Sequence, residues 1–108
     1  MFMLLAQMTA KQFKEQEVER LLGVLQATAA QEDGNIAYAV HVRQNDPRAF
    51  VVYELYQDKD ACDRHVSLAV VQDILAALAG LLVQPADVVV GPVLSITGRT
   101  DLCHTGKT

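Results

Sequence analysis

Two hydrophobic periods alternate along this chain. Residues 2–8 form an apolar run of strand length, read as a short buried strand. Thr9-Ala10-Lys11-Gln12 has capping-box spacing, in which a hydroxyl and an amide satisfy free N–H groups at a helix start. A helix is predicted to follow, because Val18, Leu21, Leu22, Leu25 and Ala29 recur on one face while Lys14, Glu15, Glu19 and Gln26 supply a wet one. Gly34 is expected to close it in the left-handed conformation. From Asn35 to Arg43 the period drops to two, with Ile36, Tyr38, Val40 and Val42 on one side and Ala37, Ala39, His41 and Arg43 on the other. Gln44 to Arg48 is rich in turn formers and Ala49 to Gln57 reads as the returning strand, so a hairpin is predicted. Asp58-Lys59-Asp60 opens a short helical segment reaching His65. Ser67 is expected to cap a second helix to about Leu82, with Leu68, Val71, Leu75, Leu78 and Leu82 buried and Pro85 as the stop. Val88 to Thr97 reads as a last strand, kinked at Gly91-Pro92 because proline cannot donate to a ladder.

The resulting order, β-α-β-β-α-β, is the ferredoxin-like motif of the α+β class, a four-stranded antiparallel sheet with helices on one face. The third strand carries large apolar groups on both sides, Val51, Tyr53 and Leu55 against Phe50, Val52, Glu54 and Tyr56. Burial on both sides needs a second cover, most simply another copy of the chain in a two-fold dimer. At 108 residues the prior is one domain, taken as residues 1–97 with 98–108 as a C-terminal tail.

Composition narrows the partners. The net charge of -4 and scattered Lys and Arg leave no basic footprint for nucleic acid. The apolar start lacks the basic region of a signal peptide, and the run from Leu68 to Val83 is broken by Gln72-Asp73, so no membrane span is expected. Cys62 and Cys103 form no framework or zinc spacing, and reduced thiols fit the cytoplasm.

Candidate chemistry concentrates where proton-handling side chains interrupt segments patterned for burial: Tyr38, Glu54, Tyr56 and His65. A buried polar group must find a partner or a task. His65 is the candidate acid/base group, since imidazole titrates near neutrality; the other reading is an exposed or capping histidine. Glu54 is either catalytic or half of an ion pair with Arg43, Arg64 or a dimer mate. Tyr56 shares its face by alternation and completes the candidate catalytic set. Gln7, polar in an apolar strand, and Tyr38 and Tyr53 are candidate substrate-binding residues, core or edge positions being the other explanation. His41 reads as a surface or interface residue, and Cys62 has no neighbouring base. In the tail, Cys103-His104 falls short of a metal site, and Gly106-Lys107-Thr108 lacks the earlier glycine of a phosphate loop, where Asp101 stands.

Glu32-x-Gly34-Asn35-x-x-Tyr38, the strand Phe50-Val51-Val52-Tyr53-Glu54 and Asp60-Ala61-x-x-x-His65, in that order, resemble the antibiotic biosynthesis monooxygenase domain family. The resemblance implies a dimeric α+β barrel with a small cavity between sheet and helices in each protomer. It also implies oxygenation of small aromatic, quinol or polyketide-like substrates by molecular oxygen, with no metal, flavin or nicotinamide. In such chemistry the substrate is deprotonated, passes an electron to oxygen, and the radicals combine, while the protein supplies a dry cavity and a proton acceptor. The same fold serves haem degraders and enzymes of a phosphorylated signal sugar. Against haem, the chain has no tryptophan and no histidine from Ser67 to Leu82. Where the family often has a second histidine, this chain is apolar, near Val70. Two other readings stay open: a non-catalytic small-molecule binding or stress-response module, and an oxygen-independent isomerase or degradative enzyme for a small carbonyl compound.

Overall fold

The computed structural model describes residues 1–98. Strand β1 (Phe2–Thr9) leads into helix α1 (Glu15–Ala29), the hairpin of β2 (Asn35–Arg43) and β3 (Asp46–Tyr56), helices α2 (Lys59–Ser67) and α3 (Ala69–Ala79), and strand β4 (Asp87–Pro92). The strands lie in the order β2-β3-β1-β4, each antiparallel to its neighbours. This is the expected α+β ferredoxin-like arrangement, with β3 inserted between the two strands that α1 connects. The core lies on the helix side, where Ala6, Phe50 and Val52 of the sheet meet Val18, Leu22, Val71 and Leu78.

The predicted α1 stripe and the buried one coincide: Val18, Leu21, Leu22, Leu25 and Ala29. Its predicted start and end do not. Thr9 is still strand, and its carbonyl accepts from Val83 while Ala10 donates to the Arg48 carbonyl, so sheet pairing takes the backbone that the capping box would have used. The chain instead turns through Phe13, at φ 70°, and α1 starts after Lys14 without a side-chain cap. Ala30, in helical conformation, follows the last residue of α1, and Gly34 does not adopt positive φ. Glycine is needed at 34 for space, because a Cβ there would run into the Cβ of Ala61 in α2.

The hairpin loop is tighter than predicted. Asn45 at φ 68° supplies the left-handed residue, and β3 already begins at Asp46. The segment after β3 is a short helix followed by a second one, as predicted, but the second ends earlier, at Ala79. Asp58 caps α2 by accepting from the Ala61 N–H at 2.8 Å, whereas Ser67 donates to the Asp63 carbonyl at 2.7 Å and caps nothing. Leu68, extended at ψ 137°, separates α2 from α3 and rotates the stripe. Val71, Ile74 and Leu78 are the buried residues of α3, Leu68 and Leu75 are exposed, and Leu82 is buried beyond the helix, bridged to Ala10. The last strand stops at Pro92, because its only neighbour among the described residues, β1, runs out opposite it at Phe2; one further bond joins Val93 to the Met1 carbonyl. The predicted continuation to Thr97 is not strand. Cys103-His104 and Gly106-Lys107-Thr108 lie outside the described residues. No helix among the described residues is long and apolar enough to cross a membrane.

Candidate active site

Register assembles the site. Glu54 of β3 lies opposite Tyr38 of β2 on one side and Leu4 of β1 on the other, and period two puts Tyr56 on the same face. That face carries the helices. α2 crosses over it with His65 inward and almost wholly buried, 2% exposed, so the exposed or capping histidine does not describe this residue. The imidazole ring centroid sits 5.8 Å from that of Tyr56 and 6.2 Å from that of Tyr38.

Glu54 is buried with no ion pair among the described residues. The expected pairing with Arg43 or Arg64 is replaced by a hydrogen bond from the Tyr56 hydroxyl to Oε1 at 2.5 Å. Burial pushes the Glu54 carboxyl above the usual carboxylate range, opposed first by the Tyr56 hydrogen bond and then by the nearby His65. Burial, and then Glu54 itself, pushes the Tyr38 and Tyr56 hydroxyls well above the ordinary phenol value, so both remain hydrogen-bond donors near neutrality. Cys62, also buried, is pushed up to about 11 chiefly by burial. A thiol that weakly acidic is a poor nucleophile.

A cavity of about 190 Å³ opens beside this cluster, between the sheet and the helices. Leu22 and Leu25 of α1, Val71, Leu75 and Leu78 of α3, and Leu4, Ala6 and Val52 of the sheet form its apolar walls. Its polar lining groups are Tyr38, Glu54 and His65, which are neighbours, so the cavity has one polar end. Tyr56 does not line the cavity and is linked to its polar end by the hydrogen bond to Glu54. Among the described residues no three His, Cys, Asp or Glu side chains are grouped to hold a metal ion.

The structure therefore brings His65, Glu54, Tyr56 and Tyr38 together, and leaves Gln7 and Tyr53 out. Gln7 is exposed on the opposite face of β1, level with Val51, beside a separate depression that Arg43 and Asp87 also line. Tyr53, 43% exposed, is on that face too, with its ring stacked on His41 at 5.7 Å. The parity of β1 was ambiguous in sequence because Met3 and Leu5 on one face are as apolar as Leu4 and Ala6 on the other.

Two features escaped sequence reasoning. The cavity walls come from several separate segments, and no local pattern announces them. The other is Glu32, in the loop after α1, whose Oε2 lies 2.6 Å from Nδ1 of His65, 33 residues away in sequence. The motif joining Glu32 to Gly34 was visible, yet nothing in it pointed to the histidine.

Solved structures share this fold along nearly their whole length. Rv0793 from Mycobacterium tuberculosis superposes with a TM-score of 0.83 at 21% identity, covering 90% of this chain and 98% of that one. SnoaB, a cofactor-independent oxygenase from Streptomyces nogalater, gives 0.79 at 14% identity over 91% and 97%. A crystallised antibiotic biosynthesis monooxygenase gives 0.80 at 26% identity over 88% and 100%. No curated protein matches the sequence. The family model for antibiotic biosynthesis monooxygenases matches residues 1–77, a span that holds Tyr38, Glu54, Tyr56 and His65, and the chain belongs to the antibiotic biosynthesis monooxygenase family.

Proposed function

We propose that this protein uses molecular oxygen, without a metal, flavin or nicotinamide, to insert one oxygen atom into a small electron-rich phenol or quinol. The observation that carries the reading is the cavity, apolar on its walls and polar at the one end where Tyr38, Glu54 and His65 meet. A quinol reacting with oxygen must lose a hydroxyl proton and must be shielded from water while radicals recombine. His65 takes the proton, Tyr38 donates to the resulting phenolate, and Glu54, braced by Tyr56, accepts from a second hydroxyl. One oxygen atom enters the ring and the other leaves as water with the two hydrogens the substrate loses, so the substrate supplies every electron. SnoaB, with the same fold, is a cofactor-independent oxygenase.

Size narrows the substrate. A dry cavity of about 150 Å³ accepts a single benzene ring, so about 190 Å³ suits one ring or a compact pair and is small for a tricyclic anthrone. The opposite sheet face, with Met3, Tyr53 and Val89 exposed, is where a second copy packs in this reading, which makes the protein a homodimer. The buried free thiol of Cys62 accords with the cytoplasm.

The test is oxygen uptake with product analysis over one-ring hydroquinones and tricyclic anthrones, using chelator-treated protein beside His65→Gln. Substrate-dependent uptake with the one-ring compounds, surviving chelation and falling in the variant, is expected. Uptake no greater than the uncatalysed background throughout the panel would rule the proposal out. Having His65 and Glu54 side by side also favours a second reading, proton transfer on a small carbonyl compound, which turnover without oxygen would reveal.

A further inference from the structure

His65 stands between two spaces. His65 lines the inner cavity, and its Nδ1 meets Glu32, which also lines a surface depression of about 310 Å³ with Asp33, Gly34, Ala61 and Arg64. Glu32 is partly exposed, its side chain 23% accessible against 3% for His65. Their meeting is built by the backbone: the Gly34 carbonyl accepts from Gln57 at 2.8 Å, and the absent side chain at 34 lets the loop lie directly on Ala61 of α2, one helical turn before His65.

We propose that Glu32 is a positioning residue that fixes His65 in the tautomer needed for proton abstraction. A carboxylate can only accept a hydrogen bond, so Nδ1 must carry the hydrogen and Nε2 is left with its lone pair on the free edge of the ring. When a substrate hydroxyl gives up its proton, the O–H bond breaks, an Nε2–H bond forms, and the imidazolium produced lies against the Glu32 carboxylate. Glu32 remains ionised and touches no substrate, as in other carboxylate-histidine pairs. The reaction step rests on the oxygenase reading above; the hold on the ring does not.

The other groups facing the ring are Glu54, Tyr56 and Tyr38 from the sheet and Cys62 on its own helix, with Asp33 and Arg64 outside. All are unchanged in Glu32→Gln, which removes one negative charge and little volume. Nitrogen-edited NMR of the His65 ring reads the tautomer directly. In wild type the Nδ1–H form is expected. In Glu32→Gln the tautomer balance moves toward Nε2–H, because an amide can donate to Nδ1 as well as accept from it. With a quinol substrate, kcat should fall about tenfold to a hundredfold, the size seen when a metal-bound histidine loses its orienting partner, while KM holds. Glu32→Asp should restore the Nδ1–H form in part. The same tautomer balance in wild type and Glu32→Gln would overturn the proposal, as would an unchanged kcat. A protein that oxygenates none of the panel, yet whose ring signals move in Glu32→Gln, would retire the oxygenase reading and keep Glu32 as the residue that orients His65.

Discussion

Replacing Gly34 by alanine should destabilise the protein measurably, although the backbone there is not in the left-handed region. The new Cβ would overlap the Cβ of Ala61, with the Ala61 α-carbon and the Arg64 guanidinium each 3.6 Å away. Arg64 can swing aside, but Ala61 has no rotamer to change, so the loop must lift from α2 and strain the Gln57 to Gly34 hydrogen bond. Overpacking of this kind costs about 1–3 kcal/mol. Alanine returns about 0.4–1 kcal/mol by restricting the unfolded chain. A net loss of about 1–2 kcal/mol is therefore expected, and with about 4–8 °C of melting temperature per kcal/mol at this size, a fall of roughly 5–15 °C in a circular dichroism melt. Ala61→Gly alone should cost about 1 kcal/mol from helix propensity. In the double variant the overlap disappears, so the two losses should couple by about 1 kcal/mol or more instead of adding, as contacting residues do. A melting temperature unchanged in Gly34→Ala, or strictly additive losses in the double variant, would refute the packing argument for glycine at this position.

Other expectations follow from the buried carboxyl and the open sheet face. Because burial raises the Glu54 pKa above the ordinary 4.5, folding favours its protonated form; that contribution is full below the ordinary value and is lost as pH rises through the raised one. Glu54→Gln should remove this slope from urea midpoints measured across that window, and identical slopes in the two proteins would contradict it. Tyr56→Phe removes the hydrogen bond that holds the Glu54 pKa down, so the carboxyl should titrate still higher by carbon-13 NMR, at a stability loss of about 1.5–3 kcal/mol where the lost bond is to a charged group; an unmoved titration would count against the pairing. Tyr53→Glu, on the face away from the cavity, should convert a dimer to a monomer in analytical ultracentrifugation while leaving the His65 ring signals in place, and a dimer that persists would move the interface elsewhere.

Much of the architecture is local. The period of 3.6 in Val18, Leu21, Leu22 and Leu25 and the period of two from Asn35 to Arg43 mark real elements, since each follows from how a single helix or strand divides its side chains between core and water. The same parity put Glu54 and Tyr56 on one face before any fold was known. Element ends were less legible. Thr9, Ser67 and Gly34 are good caps by composition, but Thr9 was claimed by the sheet, Ser67 by the Asp63 carbonyl and Gly34 by the approach of Ala61. A cap is a local preference worth about 1 kcal/mol, and a tertiary contact of similar size displaces it.

The site divides in the same way. Composition and alternation alone were enough to nominate Glu54, Tyr56, Tyr38 and His65, because polar groups inside a buried pattern have to be explained. Which face of β1 meets the helices, and hence the exclusion of Gln7 and Tyr53, was decided by strand register, since both faces of that strand are apolar. The cavity and the pairing of Glu32 with His65 were decided by tertiary structure as well. They join residues from separate elements, 33 positions apart in the case of the pair, and a distance set by how a loop rests on a helix leaves no periodic trace in the order of the amino acids.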